Sequence, residues 1–397
     1  MGWRSKAKKA KKLHRPSLKG NWERDGLYDT FPSYISEIEQ NPQTTTHGTY
    51  DKHCIYCNTN DTFPTTINFD DVTPEEFINL YERKRIPCVI KGVTTSCKHG
   101  NQPWKANEYW KLHNLEGDER LNRYMFKVGE DDDGKSIRMN LKHFFRYLQK
   151  NKDDSPLYIF DSNFDEDKQA NCLMKHYCVP PYFPQDLFSL VGEERRPPYR
   201  WFLIGPERSG TSLHTDPLGS SAWNTLLHGQ KRWILFSPNT PKSLIKAKYY
   251  VQKGEDDEPI HYFTKLLHRI KDKCLQQHFH CYEFTQYEGD TVFIPQGWWH
   301  AVLNVTHTVA ITQNYISECN FDEAWVSTRS GRKKMAAKWL WRLEKDGRYD
   351  HLVQRARELD RRDDFVLKYD WMNILEGRKR KEYDRKEKCH KLKKRKK

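Results

Sequence analysis

The pattern of hydrophobic and polar positions in residues 63–165 alternates between helical periodicity and short apolar runs. The segment VTPEEFINLYERK predicts a helix, because Thr73 can cap it, Pro74 suits its first turn and Glu76 completes a capping box. IPCVIKG and SPLYIFD predict strands, and NLKHFFRYLQKN predicts a second helix that Asn140 can cap. This part of the chain therefore has mixed α and β character.

From residue 198 onward the pattern changes to short strands rich in aromatic and β-branched residues, separated by Gly and Pro turns. They include PYRWFLIG, TSLHTD, SAWNTLLHG, KRWILFSP, DTVFIP, GWWHAVLNV and HTVAITQNYI. Many short strands at this spacing predict a sandwich or a barrel. After about residue 320 the periodicity is helical again, as in DHLVQRARELDRR. The predicted fold class is mainly β with flanking helices.

Positive charge is concentrated at the two ends of the chain. Residues 1–15 contain seven Lys or Arg and no acidic residue, and residues 378–397 contain 13 basic and three acidic residues. The net charge of the 397-residue chain is +14, so the remaining body is close to neutral. Such basic runs indicate nuclear import or binding to RNA or DNA phosphates, with an anionic membrane surface or a solvated tail without a partner as alternatives. We expect a nuclear protein.

The cysteines argue against a disulfide-stabilised protein, and the hydropathy argues against a membrane-spanning one. The ten Cys residues follow no framework spacing, which is typical of a reduced cytosolic or nuclear chain. Cys54 and Cys57 form a CxxC pair beside His53, but no second pair at finger spacing follows, so we favour free thiols over a zinc site completed by HFHC at 278–281. The sequence predicts neither a transmembrane helix nor a signal peptide.

Two segments carry a candidate metal site. In SLHTDPLGSSAWN (212–224), His214 and Asp216 are two apart and would face the same side of a strand. The segment EGDTVFIPQGWWHAVLN (288–304) predicts turn, strand, turn and strand, with His300 near the start of the returning strand. Two His and one carboxylate form the facial triad of non-haem Fe(II) oxygenases. His-x-Asp alone is a weak signal, but its combination with the second segment predicts an Fe(II) site.

The same strands offer groups for a 2-oxo acid with a distal carboxylate. Lys231 precedes a strand that runs inward, and Lys231 and Arg232 point to opposite faces, so only one of them can face the interior. Thr312 adds a hydroxyl to an otherwise apolar inner face. Further donors to carboxylate oxygens are Asn224, Asn314 and Tyr158. As a set these residues predict a cosubstrate pocket beside the metal.

Residues 155–318 closely resemble the Jumonji-C (JmjC) 2-oxoglutarate oxygenases. The resemblance is carried by DDSPLYIFDS, RRPPYRWFLIGPERSGTSLHTDPLGSSAWN, GQKRW, PQGWWHAVLN and AITQN. It implies a double-stranded β-helix, or jelly roll, as the catalytic core. The expected organisation is a basic tail at 1–18, an α+β region at 19–154, the jelly roll at 155–320, a helical region at 321–376 and a basic tail at 377–397.

The resemblance also implies a role for each candidate residue. It gives the metal to His214, Asp216 and His300, and the distal carboxylate of 2-oxoglutarate to Lys231 and Thr312. The other pocket positions that match are Asn224, Tyr158, Thr211 and Asn314. The implied cofactors are Fe(II) and 2-oxoglutarate, with O₂ as co-substrate. The implied reaction is hydroxylation of a lysine side chain or demethylation of a methylated arginine, and we expect lysyl hydroxylation as the main activity.

The expected partners are Lys/Arg-rich proteins such as histone tails and splicing factors, RNA at the basic tails, and a second copy of the chain. The acidic segment GEDDDG (129–134) would attract cationic peptides, and an ordinary charged turn is the alternative. The resemblance also leaves a non-enzymatic role open, in which the protein binds phosphatidylserine during the engulfment of apoptotic cells. The basic tails would then contact the anionic headgroup.

Overall fold

The structure, a computed structural model, describes residues 2–40, 64–246, 251, 258–369 and 371–372. The chain divides into two compact units. The first comprises Met1–Pro184, Pro198–Asp216 and Ser221–Asn314, and the second comprises Gln185–Pro197, Pro217–Ser220 and Tyr315–Lys397.

Helices and strands follow one another in the order expected for a β-rich core with flanking helices. The helices are α1 (Trp3–His14), α2 (Leu27–Gln40), α3 (Pro74–Phe77), α4 (Ala106–Tyr109), α5 (Leu112–Gly117), α6 (Leu141–Leu148), α7 (Lys242–Ile245), α8 (Pro259–His261), α9 (Leu267–Gln276), α10 (Phe321–Gly331), α11 (Lys333–Asp346) and α12 (Asp350–Arg362). The strands are β1 (Thr65–Asn68), β2 (Cys88–Lys91), β3 (Met125–Glu130), β4 (Ser136–Asn140), β5 (Ile159–Asp161), β6 (Arg200–Gly205), β7 (Gly210–His214), β8 (Ser221–His228), β9 (Lys231–Phe236), β10 (Cys281–Gln286), β11 (Thr291–Ile294), β12 (Trp299–Asn304) and β13 (Thr308–Tyr315).

The predicted jelly roll is confirmed by the strand order. The larger sheet has the order β1-β2-β11-β8-β13-β6-β5, and the smaller sheet has the order β10-β9-β12-β7. From β6 to β13, successive strands alternate between the two sheets, except that β9 and β10 are neighbours in the smaller one. This alternation is what winds a chain into a double-stranded β-helix.

Alternate residues of the smaller sheet pack into two different cores. Trp233 and Leu235 pack with residues of the larger sheet such as Val292, inside the barrel. Ile234 and Phe236 pack on the opposite face, in a cluster that includes apolar residues of α2 and α9. Because side chains alternate with a period of two, odd positions of β9 point into the barrel and even positions point out.

The N-terminal end differs from the expected basic tail, because residues 3–14 form α1. Ala7 and Ala10 are buried, and Lys11 Nζ donates to the carboxylate of the buried Asp153 at 2.5 Å. Small apolar residues three apart give a lysine-rich helix one face that can pack. A charge count along the sequence does not reveal this face.

The boundaries of the expected regions also differ. Strand β2 precedes residue 155, yet it pairs with β11 in the larger sheet, so this sheet extends into the expected α+β region. The expected C-terminal helical region lies in the second unit, where α10, α11 and α12 share a core around Trp325 and Trp339. Residues 377–397, Cys54 and Cys57 lie outside the described residues.

Two features of the described residues bear on the sequence analysis. None of their helices is long and apolar enough to span a bilayer. The cysteines with a described position are all free thiols, including Cys281 of the HFHC segment.

Candidate metal and cofactor site

His214 and His300 lie directly opposite each other on neighbouring strands of the smaller sheet. They are register partners in the β7–β12 pair, and their ring centroids are 4.2 Å apart. Asp216 follows two residues after the end of β7, and a ligand atom of each of the three residues lies within 4.8 Å of the others. The structure thus brings the predicted triad together. Strand alternation does not place Asp216, however, because the strand ends at His214.

Hydrogen bonds leave one free ligand atom on each of these residues. His214 Nδ1 contacts the Ser212 carbonyl at 2.9 Å, and His300 Nδ1 contacts the Trp298 carbonyl at 3.1 Å. A carbonyl only accepts, so both Nδ1 atoms carry a proton, and the Nε2 atom of each ring is the one left to bind a metal among the described residues.

The carboxylate of the triad is oriented in a similar way. Asn314 Nδ2 donates to Asp216 Oδ1 at 2.9 Å, whereas Asp216 Oδ2 is buried and has no hydrogen-bond partner among the residues that the structure describes. A buried carboxylate oxygen without a partner is costly unless a cation or a donor faces it. Two free imidazole nitrogens and this oxygen are the donor set that suits Fe(II), so the residues fit the expected metal.

The electrostatic environment favours the metal-binding form of the site. Burial, with a smaller contribution from the neighbouring His214, lowers the pKa of His300 to about 4. The His300 imidazole is therefore neutral near pH 7, as a metal ligand must be.

A β-bulge places Thr211 on the same face as His214. In the β7–β12 register, His214 opposes His300 and Thr211 opposes Val302, so β7 has one more residue than its partner in this interval. Val302 belongs to the core inside the barrel. Thr211 therefore faces inward, although strict alternation would put positions 211 and 214 on opposite faces. Gly210 permits the close strand contact, since a Cβ there would lie 2.0 Å from the Val302 carbonyl oxygen.

Lys231 is the inward-facing member of the Lys231–Arg232 pair. Its side chain is buried, and Nζ lies 3.5 Å from Asn224 Oδ1, the one hydrogen bond it makes within the described part of the chain. Burial lowers the pKa of the Lys231 ammonium to about 7. Arg232 points out of the barrel, where it donates to Glu283 at 2.7 and 2.5 Å. A buried amine without a carboxylate partner suits an anionic ligand.

The other predicted pocket residues make contacts that refine their expected roles. Thr312 Oγ1 donates to the Trp223 carbonyl at 2.8 Å, so this hydroxyl must rotate before it can donate to a ligand. Tyr158 OH and Thr211 Oγ1 are 3.4 Å apart, and burial raises the pKa of the phenol. Asn314 contacts Asp216, which makes it a support for the carboxylate.

Two residues of the site were missed by the sequence analysis. The Trp233 ring lies 6.1 Å from the His300 ring, and its indole N–H donates to Gln286 Oε1 at 2.9 Å. Trp233 shares the odd-numbered face of β9 with Lys231, a signal that was available in the sequence. Gln286 ends β10, a strand that the sequence analysis did not predict, so its place could not be derived from the pattern.

The acidic segment at 129–134 spans the end of β3 and the turn that leads to β4. Asp131 Oδ1 accepts the backbone N–H groups of Asp133 and Lys135 at 3.1 and 2.8 Å. Asp131 thus has the local role of an ordinary turn residue.

Comparisons with known proteins agree with this geometry. The family model described as "JmjC domain, hydroxylase" matches residues 201–315, which contain the triad and Lys231. The bifunctional arginine demethylase and lysyl-hydroxylase of Caenorhabditis elegans is 41% identical over 277 residues, which cover 70% of this chain and 67% of that protein. An arginine-specific demethylase of Arabidopsis thaliana is 34% identical over 63% of this chain and 45% of its own length.

A more distant relative is named for its cofactors. The 2-oxoglutarate and iron-dependent oxygenase JMJD4 of Mus musculus is 24% identical over 63% of this chain and 60% of its own length. The comparisons give no support to phosphatidylserine binding as an alternative function. With its jelly roll, its two histidines and one aspartate around a common point, and its buried lysine, the chain belongs to the JmjC family of iron- and 2-oxoglutarate-dependent oxygenases.

Proposed function

We propose that this enzyme hydroxylates lysine side chains of proteins, and that demethylation of methylated arginine is a second reaction of the same site. The observation that carries the proposal is the presence, inside one barrel, of the His214–Asp216–His300 triad and of Lys231, a buried amine that has no carboxylate partner in the described part of the chain. The relative from Caenorhabditis elegans is named for both reactions.

Each residue of the site then has a defined task. His214 and His300 hold Fe(II) through Nε2, and Asp216 holds it through the oxygen that Asn314 does not occupy. The ammonium of Lys231 pairs with the distal carboxylate of 2-oxoglutarate. When bound, iron and 2-oxoglutarate supply the oxidising chemistry, in which one oxygen atom of O₂ enters succinate and the other enters a substrate C–H bond, with loss of CO₂.

The residues around Lys231 orient its ammonium group and surround it with groups that suit a bound carboxylate. Asn224 Oδ1 accepts from the ammonium, and Thr312 and Tyr158 add hydroxyls whose partners within the described chain are a carbonyl and Thr211. The apolar walls, which include Trp233 and Val302, exclude water and strengthen the attraction between ammonium and carboxylate.

Both reactions need the same step, the hydroxylation of a C–H bond. On a lysine carbon the product is stable hydroxylysine. On the methyl group of an N-methylated arginine, the hydroxylated carbon leaves as formaldehyde, and the N–H bond is restored. The choice between the reactions therefore depends on which side chain reaches the iron, and the same triad serves both.

Mass spectrometry of a peptide substrate tests the proposal. The purified protein is incubated with Fe(II), 2-oxoglutarate and Lys/Arg-rich peptides from histone tails or splicing factors, with and without methylated arginine. We expect a gain of one oxygen atom on lysine and a smaller loss of methyl groups from arginine, both absent in Asp216→Ala. Demethylation without any lysine oxidation would overturn the proposed order of activities, and neither product from any peptide would overturn the proposed substrate class.

We also propose RNA as a partner, at a groove beside α1. The groove has a volume of about 660 Å³, and its lining includes Arg4, Lys8, Lys11, Lys12, Lys19, Lys150 and Lys152 against the acidic residues Glu23 and Asp153. Arg4, Lys8 and Lys12 are four residues apart, which spaces them by about 6 Å along the helix. A row of cations of this kind suits a chain of phosphates.

RNA binding is tested with a fluorescent single-stranded RNA at two salt concentrations. Lys8→Ala with Lys12→Ala should weaken binding and reduce its salt dependence, while a chain lacking 378–397 reports the contribution of the other basic run. Unchanged RNA affinity in the double variant would contradict the proposal that RNA binds in this groove. If the protein binds phosphatidylserine vesicles but not RNA, the groove would be a membrane-binding surface instead of an RNA-binding one.

The same basic runs underlie our proposal of a nuclear location. Because α1 is packed, its deletion would disturb the fold, and Lys8→Ala with Lys12→Ala is the cleaner variant. Combined with removal of 378–397, it should reduce nuclear accumulation of a fluorescent fusion. Full nuclear retention would contradict the proposal.

A further inference from the structure

Gln286 is a completely buried polar residue at the end of β10, inside the barrel. The role proposed above for the pocket gives it no task. It is the register partner of Lys231 in the β10–β9 pair, so the two residues face each other across neighbouring strands. Cross-strand partners have Cβ atoms about 5 Å apart, close enough for direct influence.

The Gln286 amide makes three hydrogen bonds, two of them to residues beside the proposed site. Its Oε1 accepts from the Trp233 indole N–H at 2.9 Å. Its Nε2 donates to the Asn224 carbonyl at 2.9 Å and to the Asp290 carbonyl at 3.0 Å. One side chain thus joins β9 and β10 of the smaller sheet to β8 of the larger sheet.

Two of these three partners adjoin groups of the proposed site. Asn224 is the residue whose side chain accepts from the Lys231 ammonium. Trp233 packs its ring against that of His300, with an angle of 30° between the ring planes. A single residue therefore separates Gln286 from each of two site groups. Asn224 connects it to the Lys231 amine, and Trp233 connects it to the metal ligand His300.

We propose that Gln286 is a positioning residue that fixes the Lys231–Asn224 pair for the distal carboxylate of 2-oxoglutarate and holds Trp233 against His300. This inference rests on the proposed function of the pocket. A neutral amide is the suitable group at this position, because it satisfies the indole N–H and two carbonyls without placing a charge opposite Lys231. A carboxylate there would attract the ammonium and compete with the ligand.

The variant Gln286→Glu tests the proposal, because it keeps an acceptor for Trp233 and places a negative charge opposite Lys231. We expect the Kd of 2-oxoglutarate, measured calorimetrically on Mn(II)-loaded protein without O₂, to rise at least tenfold. In turnover, the KM for 2-oxoglutarate should rise by a similar factor, with a smaller change in kcat at saturation. Mn(II) affinity before 2-oxoglutarate is added should change less than threefold.

Glu283→Gln is the matched control. Glu283 is also buried on β10, but it pairs with Arg232 and Lys271 on the outer face. This variant should lower the melting temperature without changing the Kd of 2-oxoglutarate. A Kd shift of the same size in both variants would reduce the role of Gln286 to general stability and overturn the proposal.

A second variant keeps the test decisive if Gln286→Glu does not fold. Trp233→Phe retains a ring beside His300 but removes the indole N–H that Gln286 holds. We expect the affinities for Mn(II) and 2-oxoglutarate to fall severalfold, and unchanged values for both would overturn the proposal. If the wild type itself binds no 2-oxoglutarate, the proposed function of the pocket fails, a result distinct from a wild type that binds and a variant that matches it.

Discussion

Lys231 and Arg232 are adjacent on β9 but belong to opposite sides of the smaller sheet. Lys231 Nζ lies 3.5 Å from Asn224 Oδ1 inside the barrel, whereas Arg232 forms an ion pair with Glu283 outside it. Arg232 is satisfied by a residue of its own chain, and Lys231 is available for a ligand. The two neighbouring cations should therefore give different phenotypes when they are replaced.

Lys231→Ala should nearly abolish the binding of 2-oxoglutarate. Loss of the partner of a buried charge costs about 3–5 kcal/mol, which corresponds to affinity weakened by roughly a hundred- to several-thousand-fold. Lys231→Arg should also fail, because a planar guanidinium does not replace an ammonium in a closed pocket. Calorimetric titration of 2-oxoglutarate into Mn(II)-loaded protein measures both variants, and metal binding should persist in each.

Arg232→Met is the control for this experiment. It leaves the buried Glu283 with Lys271 as its remaining cation, so the free energy of unfolding should fall by about 3 kcal/mol. The Kd of 2-oxoglutarate should stay within twofold of the wild type. A normal Kd in Lys231→Ala together with a large rise in Arg232→Met would show that the two roles are exchanged.

The affinity for 2-oxoglutarate should depend on pH through Lys231. Burial lowers the pKa of the free amine to about 7, and a bound carboxylate raises it again because it favours the ammonium. Binding above about pH 7 therefore requires uptake of a proton, and the affinity should fall by up to about tenfold per pH unit while staying level below.

Calorimetry in two buffers of different ionisation enthalpy measures this proton uptake directly. Lys231→Met should show none at 2-oxoglutarate concentrations that saturate its weakened site. The depressed pKa also means that the charged amine is unfavourable in the folded, ligand-free protein, so Lys231 increasingly destabilises this protein as the pH falls from about 10 to about 7. A Kd that is constant on both sides of pH 7 would contradict a buried, titrating Lys231.

Asn314→Ala should weaken metal binding although Asn314 is not a ligand. Its side chain orients Asp216 by donating to Oδ1, and loss of such a support typically costs about 10–100-fold in metal affinity. Competition between the protein and a chelator for Mn(II) measures the change. Asn140→Ala, which removes a hydrogen bond to the Arg123 carbonyl, is the control and should bind metal normally. Equal Mn(II) affinities in the two variants would show that Asn314 does not support the metal ligand Asp216.

Asp153→Ala should destabilise the protein without affecting the cosubstrate. The buried carboxylate accepts from both Lys11 of α1 and Tyr147 of α6, and an unpaired donor left behind costs about 1–3 kcal/mol. Thermal unfolding should therefore start at a lower temperature, with the Kd of 2-oxoglutarate unchanged. An unaltered unfolding curve would mean that residues 3–14 do not pack on the rest of the protein and behave as the basic tail that the sequence analysis expected.

Much of the fold could be predicted from local patterns. The capping box of Thr73 and Glu76 is present at the start of α3, with Glu76 accepting from the Thr73 N–H at 2.8 Å. Strands β2 and β5 and helix α6 lie in the segments predicted for them, because each has a local periodic signal. The two histidines were also predictable, since each lies on a strand that alternation orients.

The remainder depends on contacts distant in sequence. Thr211 faces inward because of a bulge that β7 acquires only when it pairs with β12. Strand β2 joins the larger sheet through β11, about 200 residues later in the chain, so no local signal marks the true edge of the domain. Gln286 has no signal of its own, because its partners come from three separate segments.

The account rests on a metal held by His214, Asp216 and His300, and one measurement tests it most directly. The release of succinate from 2-oxoglutarate is followed for the wild type and for His214→Ala with Asp216→Ala, both supplied with Fe(II) and a lysine-containing peptide. We predict succinate release coupled to peptide oxidation in the wild type, and loss of at least 99% of it in a double variant whose circular dichroism spectrum is unchanged. A double variant that is folded and releases succinate at the wild-type rate would contradict the account.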